Sequence, residues 1–182
     1  MIQLNFDGAS KGNPGQAGYG GAFRDHDGNP LEIFMGSIGW DTNNSAELEG
    51  LWRGLKIAHR KNLFPLIIEG DSQILIRMAI KLQNGSSIHK ISSSWRMAYR
   101  LELINNWLSQ NQAITFKHTR REGNKLADLL ANLGVEAKGI HFEGALDSLP
   151  NREQRDQLKA LISQDKAPRE QIHPDAGDNT SL

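Results

Sequence analysis

The chain has no cysteine. That absence removes disulfide frameworks, thiolate metal sites and cysteine nucleophiles together. It also has no net charge, with 21 Lys+Arg against 21 Asp+Glu. A neutral sum looks wrong for a nucleic-acid binder, but the distribution matters more. Residues 1–134 hold 15 Lys+Arg and 12 Asp+Glu, whereas residues 135–182 hold 6 and 9. The first part is basic and the end is acidic. No stretch is long and apolar enough to span a membrane. The opening residues, Met1 to Phe6, lack the basic start and long apolar run of a secretion signal. An intracellular protein is expected, in cytoplasm or nucleus, neither secreted nor membrane-bound.

What is present is enough for one domain and an appendage: 182 residues, 38% hydrophobic. Ile2, Leu4 and Phe6 alternate with Gln3 and Asn5, a strand period. Two more strands are predicted over 17–26 and 30–38, around the turn signal Asp27-Gly28-Asn29-Pro30. Helical spacing marks 45–62, with Leu48, Leu51, Trp52, Leu55 and Ala58 on one face, and Pro65 ends it. Leu66-Ile67-Ile68 reads as a buried strand, followed by a helix over 73–83 capped by Ser72. That helix is apolar nearly all round and is predicted to be buried. A helix over 92–110, a strand over 112–118 and a helix over 123–136 follow. This order predicts an α/β fold: a five-stranded mixed sheet, the first three strands antiparallel, with helices on both faces. The predicted divisions are a domain over 1–137, an acidic extension over 138–165 with a short helix, and a disordered tail over 166–182.

Four carboxylates stand out. Asp7 ends the first strand and runs into the glycine-rich turn Gly8 to Gly15. Such backbone lets a ligand approach closely, although a capped surface turn has the same composition. Ser45 is read as a helix cap, which puts Glu47 in the first turn, where the helix dipole also favours an acid. Glu49 points to another side of that helix. Asp71 ends the apolar strand, where an N-cap or turn role is, taken alone, the favoured reading. Asp128 lies among Leu126, Ala127, Leu129 and Leu130, with Arg120, Arg121 or Lys125 available as salt-bridge partners. If the strands of Asp7 and Asp71 are neighbours, the acids converge at one sheet edge. Four oxygen donors without a histidine or cysteine set suit Mg²⁺ or Mn²⁺. A pair of such ions clamps an in-line phosphoryl displacement. Without cations, acids so close repel one another and hold protons.

Four runs, in this order and spacing, resemble ribonuclease H of type I, above all its archaeal and plant-retrotransposon versions: DGASKGNPG from Asp7, TNNSAEL from Thr42, EGDSQ from Glu69 and HTRREGNKLAD from His118. The resemblance covers about residues 1–135. It implies a ribonuclease H fold and an endonuclease that cuts the RNA strand of RNA–DNA hybrids with two Mg²⁺ ions, Mn²⁺ being a possible substitute. It places the metal-binding carboxylates at Asp7, Glu47, Asp71 and Asp128. It places substrate contacts at Gly8, Ala9, Ser10, Gly12 and Asn13, and at Thr42, Asn43, Asn44 and Gln73. Contact with 2′-hydroxyls would tell RNA from DNA. His118 and Arg121 both match positions that assist catalysis, and the choice between them stays open.

The segment between Gln83 and Trp107 departs from the bacterial pattern. Only Lys90, Arg96, Arg100 and Trp95 are available where relatives carry a basic handle. Trp52 and Trp107 are read as core, and Trp95 as packed rather than stacked on nucleic acid. His26, His59, His89, His141 and His173 are read as surface residues. The expected partner is an RNA–DNA hybrid. The expected state is a monomer, free-standing or within a larger reverse-transcriptase polyprotein. A non-catalytic hybrid-binding module from a retroelement is the alternative. A DNA-joining or DNA-cutting relative of the same fold is more distant, because such families carry other motifs around their acids.

Overall fold

The computed structural model describes residues 1–92, 94–110 and 113–166, without the side chains of 165 and 166. Three long strands open the chain: β1 (Ile2–Gly12), β2 (Gly15–Arg24) and β3 (Pro30–Asp41). Helix α1 (Asn43–Lys61) leads to β4 (Leu66–Gly70) and α2 (Gln73–Gln83). A single turn, α3 (Ile88–Ile91), precedes α4 (Trp95–Leu108), β5 (Ile114–His118) and α5 (Lys125–Glu136). The chain continues into β6 (His141–Gly144) and α6 (Arg152–Lys166).

The sheet order is β5-β4-β1-β2-β3-β6. β1, β2 and β3 form the antiparallel meander, and β4 and β5 join parallel to it. The mixed sheet is as expected, but it has six strands, not five. The sixth is His141–Gly144, which pairs antiparallel with β3. Four residues carry too little alternation to declare a strand, so only the edge of β3 defines it.

Strand alternation sorts the core into two layers. Leu4, Phe6, Tyr19, Phe23 and Phe34 face α1, α2 and α4. Ala22, Ile33 and Met35 face α5 and α6, meeting Leu126, Leu130, Leu149, Leu158 and Ile162. Burying a Leu or Phe side chain stabilises the fold by about 1.5–3 kcal/mol. Helix α5 lies very close to β2. A Cβ on Gly20 would stand 2.5 Å from the amide nitrogen of Ala131, so only glycine permits this approach.

Several local expectations change. Thr42, not Ser45, caps α1: its side chain accepts the Ser45 N–H at 3.2 Å. Glu47 therefore lies beyond the first turn, where the helix dipole is weak. Helix α2 is not buried all round. It has one buried face, Leu75, Ile76, Ala79 and Leu82, while Ile74 is 62% exposed. Trp95 is 74% exposed with the Arg96 guanidinium over its ring, so it does not pack inward. Trp52 and Trp107 do pack against the core. His59 sits between Phe64 and Trp107, so it is not a free surface group, whereas His141 is exposed as expected and bonds Tyr19 at 2.6 Å. His173 and the expected tail, beyond Lys166, lie outside the described residues.

Candidate active site

β1 and β4 run parallel with Asn5 opposite Glu69. Two residues further on, Asp7 and Asp71 therefore stand side by side at the edge where β4 ends; Asp7 does not end its own strand as expected, because pairing with β2 carries β1 on to Gly12. Helix α1 crosses this edge and brings Glu47. Carboxylate oxygens of Asp7, Glu47 and Asp71 lie within 4.8 Å of one another. Asp128, in the first turn of α5, faces the same cavity of about 420 Å³. Close contact between β1 and α1 is possible because residue 8 is glycine. A Cβ there would stand 2.2 Å from the Glu47 amide nitrogen.

Crowding dominates the electrostatics. Asp7 is 4% exposed, and its carboxyl is pushed up to about 9, first by burial, then by Asp71 and Glu47. The Gly8 N–H, donating to Asp7 Oδ1 at 2.8 Å, opposes this only partly. Glu47 is pushed up to about 8 by burial and by Asp71. Asp71 is also raised, chiefly by burial and then by Asp128, against the pull of Arg121. At neutral pH the cluster by itself retains protons. A divalent cation can replace those protons, and an all-oxygen donor set fits a hard one.

The other predicted contacts divide. Gly8, Ala9, Ser10 and Asn43 line the cavity with the acids, and so does Arg121, from a 3-10 turn at Arg121–Gly123. Gly12, Asn13, Thr42, Asn44 and Gln73 stand outside it. Asn13 Oδ1 accepts the Asn43 N–H at 3.1 Å, and Thr42 serves as the helix cap. Asn44 and Gln73 are exposed. His118 ends β5, and its Nε2 lies 3.1 Å from the main-chain oxygen of Asp71. It therefore meets the backbone of an acid, whereas Arg121 meets the charge of two.

Sequence reasoning missed Asn124, which is fully buried. Its Nδ2 donates to the Phe6 carbonyl at 3.0 Å, and its Oδ1 accepts from Asn5 Nδ2 at 3.4 Å. Its side chain also hydrogen-bonds Asp71 and favours the charged carboxylate. An asparagine before a helix reads as a cap, and nothing local distinguishes this one. Lys125, Glu122 and Asn132 also line the cavity. Asn132 donates to the Asp128 carbonyl at 2.9 Å.

Comparison with known proteins agrees with this geometry. The family model for reverse transcriptase-like domains matches residues 5–134. A ribonuclease H of Dichelobacter nodosus is 30% identical over 152 residues, covering 75% of this chain and 93% of its own. An Arabidopsis thaliana protein with a provisional ribonuclease H designation is 32% identical over 165 residues, 90% of this chain. This chain spans only 24% of that plant protein. The crystal structure of RNase H1 from Halobacterium salinarum superposes with a TM-score of 0.63 at 27% identity, covering 74% of this chain and 97% of that one. LC11-RNase H1, crystallised with an RNA/DNA hybrid, gives 0.62 at 27% identity, covering 75% and 97%. With the family model matched over most of its length and a near-complete relative aligned, the chain belongs to the ribonuclease H family.

Proposed function

We propose that this protein is an endonuclease that hydrolyses the RNA strand of RNA–DNA hybrids. The observation that carries the reading is the carboxylate cluster: Asp7, Glu47 and Asp71 in mutual reach, with Asp128 across an open cavity. Asp7, Glu47, Asp71 and Asp128 would hold two divalent cations, Mg²⁺ with Mn²⁺ as a possible substitute. Bound cations supply Lewis-acid charge for phosphodiester hydrolysis. The protein's own groups do the rest. Gly8 to Ser10 present main chain to the cavity that holds the acids, where a ribose 2′-hydroxyl can be felt. Asn43 at the same rim and the exposed Asn44 offer amides to the sugar-phosphate backbone. Arg121 lowers the proton affinity of Glu47 and Asp71 and is the better placed assistant, since His118 already faces a main-chain carbonyl.

We place the catalytic module at 1–137 and treat 138–165 as an extension docked on its back, with the protein acting as a monomer. A place within a longer, reverse-transcriptase-type protein is supported by the small share of the Arabidopsis protein that this chain spans and by the match to the reverse transcriptase-like family model. Among the described residues no helix is long and apolar enough to cross a membrane. The test is incubation with labelled RNA–DNA, RNA–RNA and DNA–DNA duplexes with Mg²⁺ or Mn²⁺. Selective loss of the RNA strand of the hybrid, abolished by chelator and by Asp71→Asn, is expected. Salt-dependent hybrid binding without turnover would instead make the protein a non-catalytic binder.

A further inference from the structure

Arg96 and Arg100 of α4 are among the few cations available for a basic handle, yet Arg100 turns inward. Its side chain is 12% exposed and lies between two buried acids. Nε donates to Glu49 Oε2 at 2.9 Å, Nη2 reaches Asp41 Oδ2 at 3.2 Å, and Nη1 donates to the Arg96 carbonyl at 3.3 Å. A buried ion pair adds little net stability compared with apolar packing, and its best-attested use is to specify one arrangement.

What Arg100 arranges is the entrance to α1. Asp41 immediately precedes the helix cap. Its Oδ1 accepts the Thr42 N–H at 2.8 Å, and its main-chain oxygen accepts from Ser10 Oγ at 3.1 Å. Glu49, two residues past Glu47, gives its other oxygen to Arg53 Nε at 3.1 Å. One guanidinium thus links α4, the end of β3 and α1. Through Asp41 it holds the segment Thr42–Asn44 from behind, and Asn44 stays exposed at the front.

We propose that Arg100 is a positioning residue for nucleic-acid binding: it clamps Asp41 to Glu49 and so presets the Thr42–Asn44 segment to receive a hybrid backbone. This rests on the hybrid-nuclease reading above. Arg100 does not line the cavity that holds the carboxylates, so its effect falls on binding more than on chemistry. Two nitrogens in a rigid fork serve two separate carboxylates, which a lysine ammonium cannot reproduce.

The experiment compares the full chain with Arg100→Lys and Arg100→Gln in steady-state cleavage of a labelled RNA–DNA hybrid with Mg²⁺. KM should rise about tenfold in both variants with kcat within about twofold, the signature of lost binding geometry. The dependence of log KM on log salt should keep its slope, whereas loss of a direct phosphate contact lowers it by about one. A lysine variant with parental KM, a reduced salt slope, or a fall in kcat at unchanged KM overturns the proposal. Should the Arg100 variants fail to fold, Asp41→Asn keeps the Thr42 acceptor, weakens the pairs of Asp41 with both Arg100 and Arg96, and must show the same KM shift while Arg96→Gln alone does not. If the parent cleaves nothing, the nuclease reading fails separately, and hybrid binding in chelator decides Arg100. Equal affinity of parent and Arg100→Gln, or no binding by the parent, then overturns it.

Discussion

The side-chain amide of Asn124 donates a 3.0 Å hydrogen bond to the main-chain carbonyl of Phe6, the residue before Asp7. It joins the start of the helix that carries Asp128 to the strand that carries Asp7. Asn124→Ala leaves the buried Phe6 carbonyl and Asn5 amide short of a partner. Unfolding in urea should show a loss of about 1–3 kcal/mol. Divalent-cation affinity should weaken as well, because the two acids lose their common tie. An unchanged cation affinity in a folded variant would show that Asn124 is structural only.

Removing one acid from the cluster should separate stability from activity. Asp71→Asn relieves the repulsion that raises Asp7 and Glu47. In chelator the variant should melt above the parent, and added Mg²⁺ should raise its melting temperature less than the parent's. Hybrid cleavage should be lost. A variant that melts lower in chelator would contradict the repulsion argument.

The raised carboxyls also set a pH dependence. Asp7 and Glu47 ionise near 9 and 8 in the folded protein but near ordinary carboxylate values when unfolded. The folded state holds the extra protons, so its stability declines as pH rises from about 4 toward 9. Cations compete with those protons, so Mg²⁺ binding should tighten over the same range and release protons. Thermal melts and calorimetry across that range, with and without Mg²⁺, check both signs. Cation binding that does not change with pH would refute the linkage.

Arg121 and His118 should behave differently. Arg121 opposes the rise of Glu47 and Asp71, so Arg121→Ala should move the pH midpoint of cation binding and cleavage upward. His118→Ala removes a contact to the Asp71 main chain and should leave that midpoint unchanged. Cleavage profiles of both variants against pH test this, and the reverse pattern would return the assisting role to His118.

The back of the molecule offers a stability test. Leu158 of α6 is fully buried in the layer with Leu126 and Leu130 of α5. Leu158→Ala should cost about 2–5 kcal/mol, as large-to-small core changes do. A negligible loss would mean that the extension contributes nothing to the fold.

Much of this was legible along the chain. Asp7 before a glycine-rich run, Asp71 after an apolar strand and Asp128 inside an apolar helix were each visible as local departures from pattern, although the run after Asp7 proved to be continued strand with its turn only at Asn13 and Pro14. Strand alternation and helical spacing placed the elements on either side of them. Other features had no local signal. Trp95 sits at a helix start, where spacing does not say which side faces solvent. Arg100 looks like any surface cation on α4, and Asn124 like any helix cap.

The sequence by itself determined the order of elements and which residue types stand at their ends, because periodicity and turn chemistry act over a few neighbours. Tertiary structure alone decided the partners. Strand register brought Asp7 beside Asp71, 63 intervening positions away, paired β6 to β3 as a sixth strand, and turned Arg100 inward between Asp41 and Glu49. Such contacts depend on the layers closing around one core, where burial makes every unpaired charge or amide costly.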